Sequence, residues 1–197
     1  MTMKTAFASL ALALAAGGAA DAATVTYATA VDVGRAGVAG AGWDGTAVTD
    51  STDRTSPGNA LGAPNNGPAD KDTTGFLSLG LGGAAVFDFG GWFKAQTTVF
   101  EVTFGCTTTC SYVESADIYA FAGPYTPFDG SFGLTELLNL GFVHVGSLSN
   151  SQAFSETGGT VSLAGVYRYL ALVDTSPGGP KRDGFDVDAI SVSLVPL

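Results

Sequence analysis

Positive charge, histidine and sulfur are scarce in this chain. Eight Lys and Arg stand against eighteen Asp and Glu, a net charge of −10, and the 197 residues include one histidine, two cysteines and two methionines. A deficit of basic residues this large argues against nucleic acid as a partner, because the phosphate backbone is held by Lys and Arg. It argues equally against docking on anionic lipid through charge. Solubility, divalent cations and neutral glycans all remain compatible with it.

A single histidine restricts catalysis. A Ser-His-Asp triad would have to use His144, yet Phe142-Val-His-Val-Gly146 reads as a strand with His144 opposite in facing to Val143 and Val145, and no G-x-S-x-G elbow occurs. A glycosidase needs two facing carboxylates. Glu101, Glu114, Glu136, Glu156 and the aspartates stand in no recognisable motif, and solvated strand faces explain Glu101 and Glu114 more simply. The expectation is a protein that is not an enzyme.

Cys106 and Cys110 stand in the run CTTTC. A structural zinc site draws on about four ligands, and no second Cys pair exists to complete one. A redox motif would be one residue shorter. In an oxidising compartment the two could close a small disulfide loop, which would add little stability by chain entropy.

No apolar run reaches the roughly 20 residues of a membrane-spanning helix. The first residues fit a different pattern: Lys4, then the apolar stretch Ala6–Ala16, then small residues ending in Ala20-Asp21-Ala22. A positive start, a short apolar core and an A-x-A exit make a secretory signal peptide. Residues 1–23 are therefore expected to be removed, leaving 24–194 as a single secreted domain. Losing Lys4 and Asp21 removes one charge of each sign, so the net charge stays at −10.

That remainder is rich in Gly, Thr, Ser, Val and Phe, so helix formers are scarce and strand formers common. Short apolar or alternating runs recur at Val25–Val33, Phe76–Leu79, Ala84–Phe89, Thr97–Phe104, Tyr112–Ala120, Phe142–Leu148, Val166–Val173 and Asp186–Val195. In Thr97–Phe104, Val99, Glu101 and Thr103 alternate with Phe100, Val102 and Phe104, as in a strand buried on one face. Gly, Pro and Asn separate the runs, Gly90–Gly91 among them. Many short strands between turn signals mean a β-sandwich or barrel. One short helical turn is expected at Leu134–Leu140. Gly34–Thr74 and Gly123–Leu134 read as long polar loops, and loops of that length in a compact domain are more often functional than idle.

Several stretches carry a resemblance. Asn59-Ala-Leu-Gly-Ala-Pro-Asn65, Phe76-Leu-Ser-Leu-Gly80, Gly82–Phe89, Tyr169-Leu-Ala-Leu-Val-Asp174 and Asp183-Gly-Phe-Asp-Val-Asp-Ala-Ile190 resemble secreted bacterial β-sandwich domains of the discoidin, or galactose-binding-like, type. Asn65 stands where that family often has Asp. Many such domains are surface proteins with a C-terminal exosortase sorting signal of the PEP-CTERM class, and Val195-Pro196-Leu197 is similar to the start of its VPLPA variant. The resemblance implies an all-β, jelly-roll-like antiparallel sandwich, secreted and associated with the surface of a Gram-negative bacterium. It also implies a non-enzymatic role in binding carbohydrate or extracellular polysaccharide, or in the surface matrix as a structural protein with no small ligand.

Two candidate sites follow. In an unbroken strand Asp186 and Asp188 would share a face with Ile190, Val192 and Leu194, and burying two free carboxylates on an apolar face is costly. Either a β-bulge near Asp188-Ala189 turns both outward, or partners neutralise them. Arg168 is one such partner. A Ca²⁺ ion is another, since it takes about six to eight oxygen ligands; Asp50, Asp53 and Asn59 could supply the rest, as galactose-binding-like sandwiches often hold a structural calcium. The second site is aromatic. Trp43, Trp92, Tyr125, Phe128 and Phe132 lie in or beside loops, where rings stack on sugars or cap the open ends of a sandwich.

Overall fold

The strand-rich composition folds as its alternation dictates. A computed structural model describes residues 23–34, 54–65, 75–102, 113–150, 159–178 and 184–196. Its strands are β1 (Thr24–Tyr27), β2 (Ala30–Val33), β3 (Leu77–Ser78), β4 (Ala84–Glu101), β5 (Ser115–Phe121), β6 (Val143–Ser149), β7 (Gly159–Asp174) and β8 (Asp186–Leu194). A 3₁₀ turn spans Pro57–Ala60, and the helix α1 runs over Leu134–Leu140, where a helical turn was expected. All strand pairs are antiparallel, in the order β1-β8-β4-β7-β5-β6, with β2 added on β4 and β3 on β8. No helix among the described residues is long and apolar enough to cross a membrane.

Two long strands turn this ladder into a sandwich. Ala84–Asp88 of β4 pairs with Tyr169–Val173 of β7 and with β2, whereas Phe93–Val99 pairs with the first half of β7 and with β8. The register breaks between Asp88 and Phe93 and again before Ala95. Gly90, with φ +72°, sits at the first break. The Gly90–Gly91 pair thus bends one strand instead of separating two. The two arms fold over one core in which Phe87, Leu170, Leu172 and Ile118 of one arm meet Phe93, Val99, Val187 and Ile190 of the other. This is the expected all-β antiparallel sandwich.

The first strand region crosses between the arms. The N–H of Ala28 bonds Ile190 O at 3.0 Å and that of Thr29 bonds Asp88 O at 2.8 Å. Consecutive amides thereby serve opposite layers, and the single run expected over Val25–Val33 becomes β1 and β2. In β4 the inward residue is Val99, fully buried, whereas Phe100 is half-buried. The core face of that segment is therefore the one carrying Val99, a parity that alternation alone does not choose.

A second apolar cluster lies on the outer face of the β2–β4–β7–β5–β6 arm. Ala84, Val86, Tyr119, Tyr169, Ala171 and Val173 form its floor, and Phe132, Leu137 and Phe142 lie on it from the segment around α1. The Glu136 carboxylate accepts the Gly133 N–H at 2.8 Å to start that helix. Gly141 ends it at φ +97°, with Phe142 N–H on Leu137 O at 3.1 Å. Leu137 is buried, while Leu134, Leu138 and Leu140 are exposed.

Candidate functional site

Asp186 and Asp188 are 1 % and 3 % exposed. Along β8, Phe100 pairs with Ala189 but Glu101 pairs with Val187, so Asp188 is an extra residue in the ladder. Phe185 and Val187 point into the core before it, Ile190 and Val192 after it. The bulge near Asp188-Ala189 open from the sequence is present and puts both carboxylates on the face away from the core, where they are nonetheless buried. The Asn65 N–H reaches Asp188 Oδ1 at 3.4 Å. Asn59 Nδ2 donates to Phe76 O at 3.1 Å, and the Arg54 guanidinium lies over the Phe76 ring at 5.3 Å.

Arg168 is not their partner. Its neighbours Tyr167 and Tyr169 pair with Phe93 and Asp88, and Phe93 pairs with Leu194, at the far end of β8 from Asp186. The eight residue steps from Asp186 to Leu194 amount to roughly 26 Å of strand. The Arg168 guanidinium instead lies over its neighbour's ring, 5.5 Å from the centre of Tyr169.

The structure therefore gathers Asn59, Asp186 and Asp188 of the expected calcium ligands at one end of β8. Asp50 and Asp53 lie outside the described residues. Among the described residues no three His, Cys, Asp or Glu side chains converge to hold a metal ion. Cys106, Cys110 and Trp43 also lie outside the described residues, as do residues 1–22 and Leu197.

The aromatic candidates are placed differently. Tyr125 and Phe128 stand in the segment between β5 and α1, laid across the outer face and not over an open end of the sandwich. Their rings meet edge to face at 5.9 Å. Tyr125 also packs on Tyr169 at 5.2 Å and Phe142 at 6.1 Å, and Phe128 stacks on Phe132 at 4.4 Å. One carboxylate pins them: Asp32 Oδ2 accepts the Tyr125 hydroxyl and, at 3.0 Å, the Phe128 N–H. Asp32 lies in β2 opposite Val86, on the outer face. Burial, followed by the bond to Asp32, pushes the Tyr125 phenol well above its ordinary ionisation range. Tyr125 and Phe128 remain half-buried, so part of each ring meets solvent. Trp92 is half-buried at the β4 bend, its carbonyl accepting the Val195 N–H at 2.9 Å. Among the described residues no ring contact joins it to Tyr125 or Phe128.

Beside this aromatic group, β5 and β6 carry a polar one. Ser147 Oγ donates to Asp117 Oδ1 at 2.6 Å, and His144 Nε2 lies 3.3 Å from Ser147 Oγ and 3.6 Å from Asp117 Oδ1. The His144 ring meets Tyr119 edge to face at 5.3 Å. This is not a catalytic triad. There the carboxylate orients one imidazole nitrogen while the other faces the serine; here both partners sit on Nε2 and the serine hydroxyl donates to Asp117.

Sequence reasoning missed Asp32, Asp117 and Ser147. Alternation in Ser115–Phe121 puts Asp117, Tyr119 and Phe121 on one face. Nothing local says that Ser147, His144 and Phe142 answer them across the sheet.

No family model matches this chain. No curated protein matches it either. Among solved structures it is similar to the CBM32 of AlyQ in complex with 4,5-unsaturated mannuronic acid, at 12 % identity over 87 % of this chain and 99 % of that one, with a TM-score of 0.49. A truncated AlyQ with CBM32 and alginate lyase domains gives 13 % identity, 88 % and 35 % coverage and a TM-score of 0.48. The CBM32-1 and CBM32-2 domains of Clostridium perfringens ZmpB give 11 % identity, 86 % and 36 % coverage and a TM-score of 0.39.

Proposed function

We propose that this chain is an exported, non-catalytic carbohydrate-binding domain that holds extracellular polysaccharide at its aromatic outer face. The observation that carries the reading is the pinning of Tyr125 and Phe128 by Asp32. Half-exposed rings fixed before a ligand arrives lose little freedom on binding, and polar groups stand beside them to orient a sugar. The signal-like N-terminus supports export. The arrangement at His144 supports a binding role over a hydrolytic one.

Affinity electrophoresis in gels cast with neutral polysaccharides tests the reading. The mature protein is expected to be retarded, with retardation reduced about tenfold or more in Tyr125→Ala and Phe128→Ala. Unretarded migration in every gel would defeat it.

A structural role with no small ligand is the second reading, and one observation favours it: the Tyr125 ring already packs on Tyr169 and Phe142 as part of the cluster. Retention of the wild type that is unchanged in both alanine variants would remove these rings as the platform.

A further inference from the structure

Two cross-strand pairs stand in a row on the outer face of β5 and β6, and a third pair, with the residue just before β6, continues it. Asp117 meets Ser147, Tyr119 meets His144, and Phe121 stacks on Phe142 at 4.8 Å. The row passes from polar to aromatic and runs on into Tyr169 and Tyr125. The segment around α1 covers the aromatic end. At the polar end the His144 and Asp117 side chains are 49 % and 30 % exposed.

Joining two strands does not need this much chemistry. Elsewhere on the sheet Thr98 and Thr160 do it with one hydroxyl pair at 3.1 Å. Here the Ser147–Asp117 bond suffices to tie the strands, yet an imidazole is set against the same oxygen. The contacts to Asp117 fall on Oδ1 and those of the imidazole on Nε2, so Oδ2 of Asp117 and Nδ1 of His144 have no protein partner among the described residues. An open carboxylate oxygen accepts a hydrogen bond, and an imidazole nitrogen donates or accepts one according to tautomer. Adjacent sugar hydroxyls offer the complementary groups.

We infer that Asp117, His144 and Ser147 form a subsite that reads the hydroxyls of a neutral sugar, an inference that rests on the carbohydrate-binding reading. Neutrality follows from charge. Asp117 itself, Asp32 on the same face, and Asp129 and Glu136 in the segment laid across it oppose a uronate carboxylate, on a chain of net charge −10. Among the described residues, Arg168, over Tyr169, is a positive charge against them.

His144 is the only histidine in the chain, so its ring protons give one identifiable set of NMR signals. The full mature protein is titrated with cellotetraose, mannotetraose, β-1,4-galactotetraose and, separately, a mannuronate tetramer, with binding followed in parallel by calorimetry. At least one neutral tetrasaccharide is expected to shift the His144 signals saturably. Asp117→Asn and His144→Gln are expected to weaken that binding by about tenfold, with unfolding temperatures close to wild type. Neutral binding that leaves the His144 signals unmoved overturns the subsite and leaves the carbohydrate reading standing. Tighter binding of the mannuronate overturns neutrality. Absence of binding by every sugar overturns the subsite and the carbohydrate reading together.

Discussion

The hydroxyl of Tyr125 donates to the Asp32 carboxylate, and the same oxygen takes the Phe128 N–H at 3.0 Å. Asp32 belongs to the second strand, 93 residues before Tyr125. A contact of such range fixes where the aromatic segment lies, because a partly buried carboxylate that lost either donor would be left short of partners.

Removal of that hydroxyl gives the first prediction. Tyr125→Phe keeps the ring and deletes the donor, so Asp32 retains only the Phe128 amide. The expected loss is about 1–3 kcal/mol, read as a lowered urea midpoint with an unchanged slope. A midpoint equal to wild type would mean that the bond does not hold the segment.

The second concerns alkaline pH. The Tyr125 phenol is raised from its ordinary value of 10.0, by burial first and by Asp32 second. Folding keeps it neutral, so this contribution to stability is intact below pH 10 and is lost as the pH rises beyond it, when the unfolded chain ionises first. Tyrosinate absorbance on alkaline titration should show a component that ionises only with unfolding. In Tyr125→Phe that component should shrink.

Asp174 supplies the third. Its Oδ2 accepts the Gly82 N–H at 2.8 Å, and its Oδ1 accepts the Ser176 hydroxyl at 2.5 Å and the Phe185 N–H at 2.9 Å. Asp174→Asn must turn an NH₂ group toward one of these donors, and a cost of about 1–3 kcal/mol follows. Burial nevertheless raises the Asp174 pKa above its ordinary 3.8, outweighing the hydrogen bonds it accepts. The folded wild type therefore takes up a proton before the unfolded chain does, and gains stability as the pH falls toward 3.8. The gap to the asparagine variant, measured by denaturant unfolding, should widen in acid.

Gly184 supplies the fourth. It has φ +87°, and a Cβ there would lie 2.5 Å from the carbonyl carbon of Gly80. Both conditions forbid a side chain where the chain turns into β8. Gly184→Ala should lower stability by more than about 1 kcal/mol, whereas alanine at Gly178, with open space around it, should change little.

Much of the sandwich was legible along the chain because period-two alternation and turn residues are local signals. The helix at Leu134–Leu140 and the strands at Val143–Ser149 and Asp186–Leu194 coincide with the expected runs to within a residue or so. The bulge at Asp188 was one of two arrangements legible there, because two carboxylates in an apolar strand need either a change of parity or partners that neutralise them. The continuity of β4 through Gly90 was not, since the same glycine that ends a strand can bend one. The site was less legible still. Tyr125 and Phe128 stood out by type, but Asp32, which pins them, and Ser147, which answers Asp117, act across strands that only the fold brings together.

The placement of the site has one direct measurement: backbone amide shifts mapped as a neutral tetrasaccharide is added. The account expects saturable shifts concentrated at residues 117–121, 125–132 and 143–147. Shifts concentrated instead at residues 54–65 and 186–188, around the buried carboxylates, would contradict it, and so would a spectrum that no sugar changes.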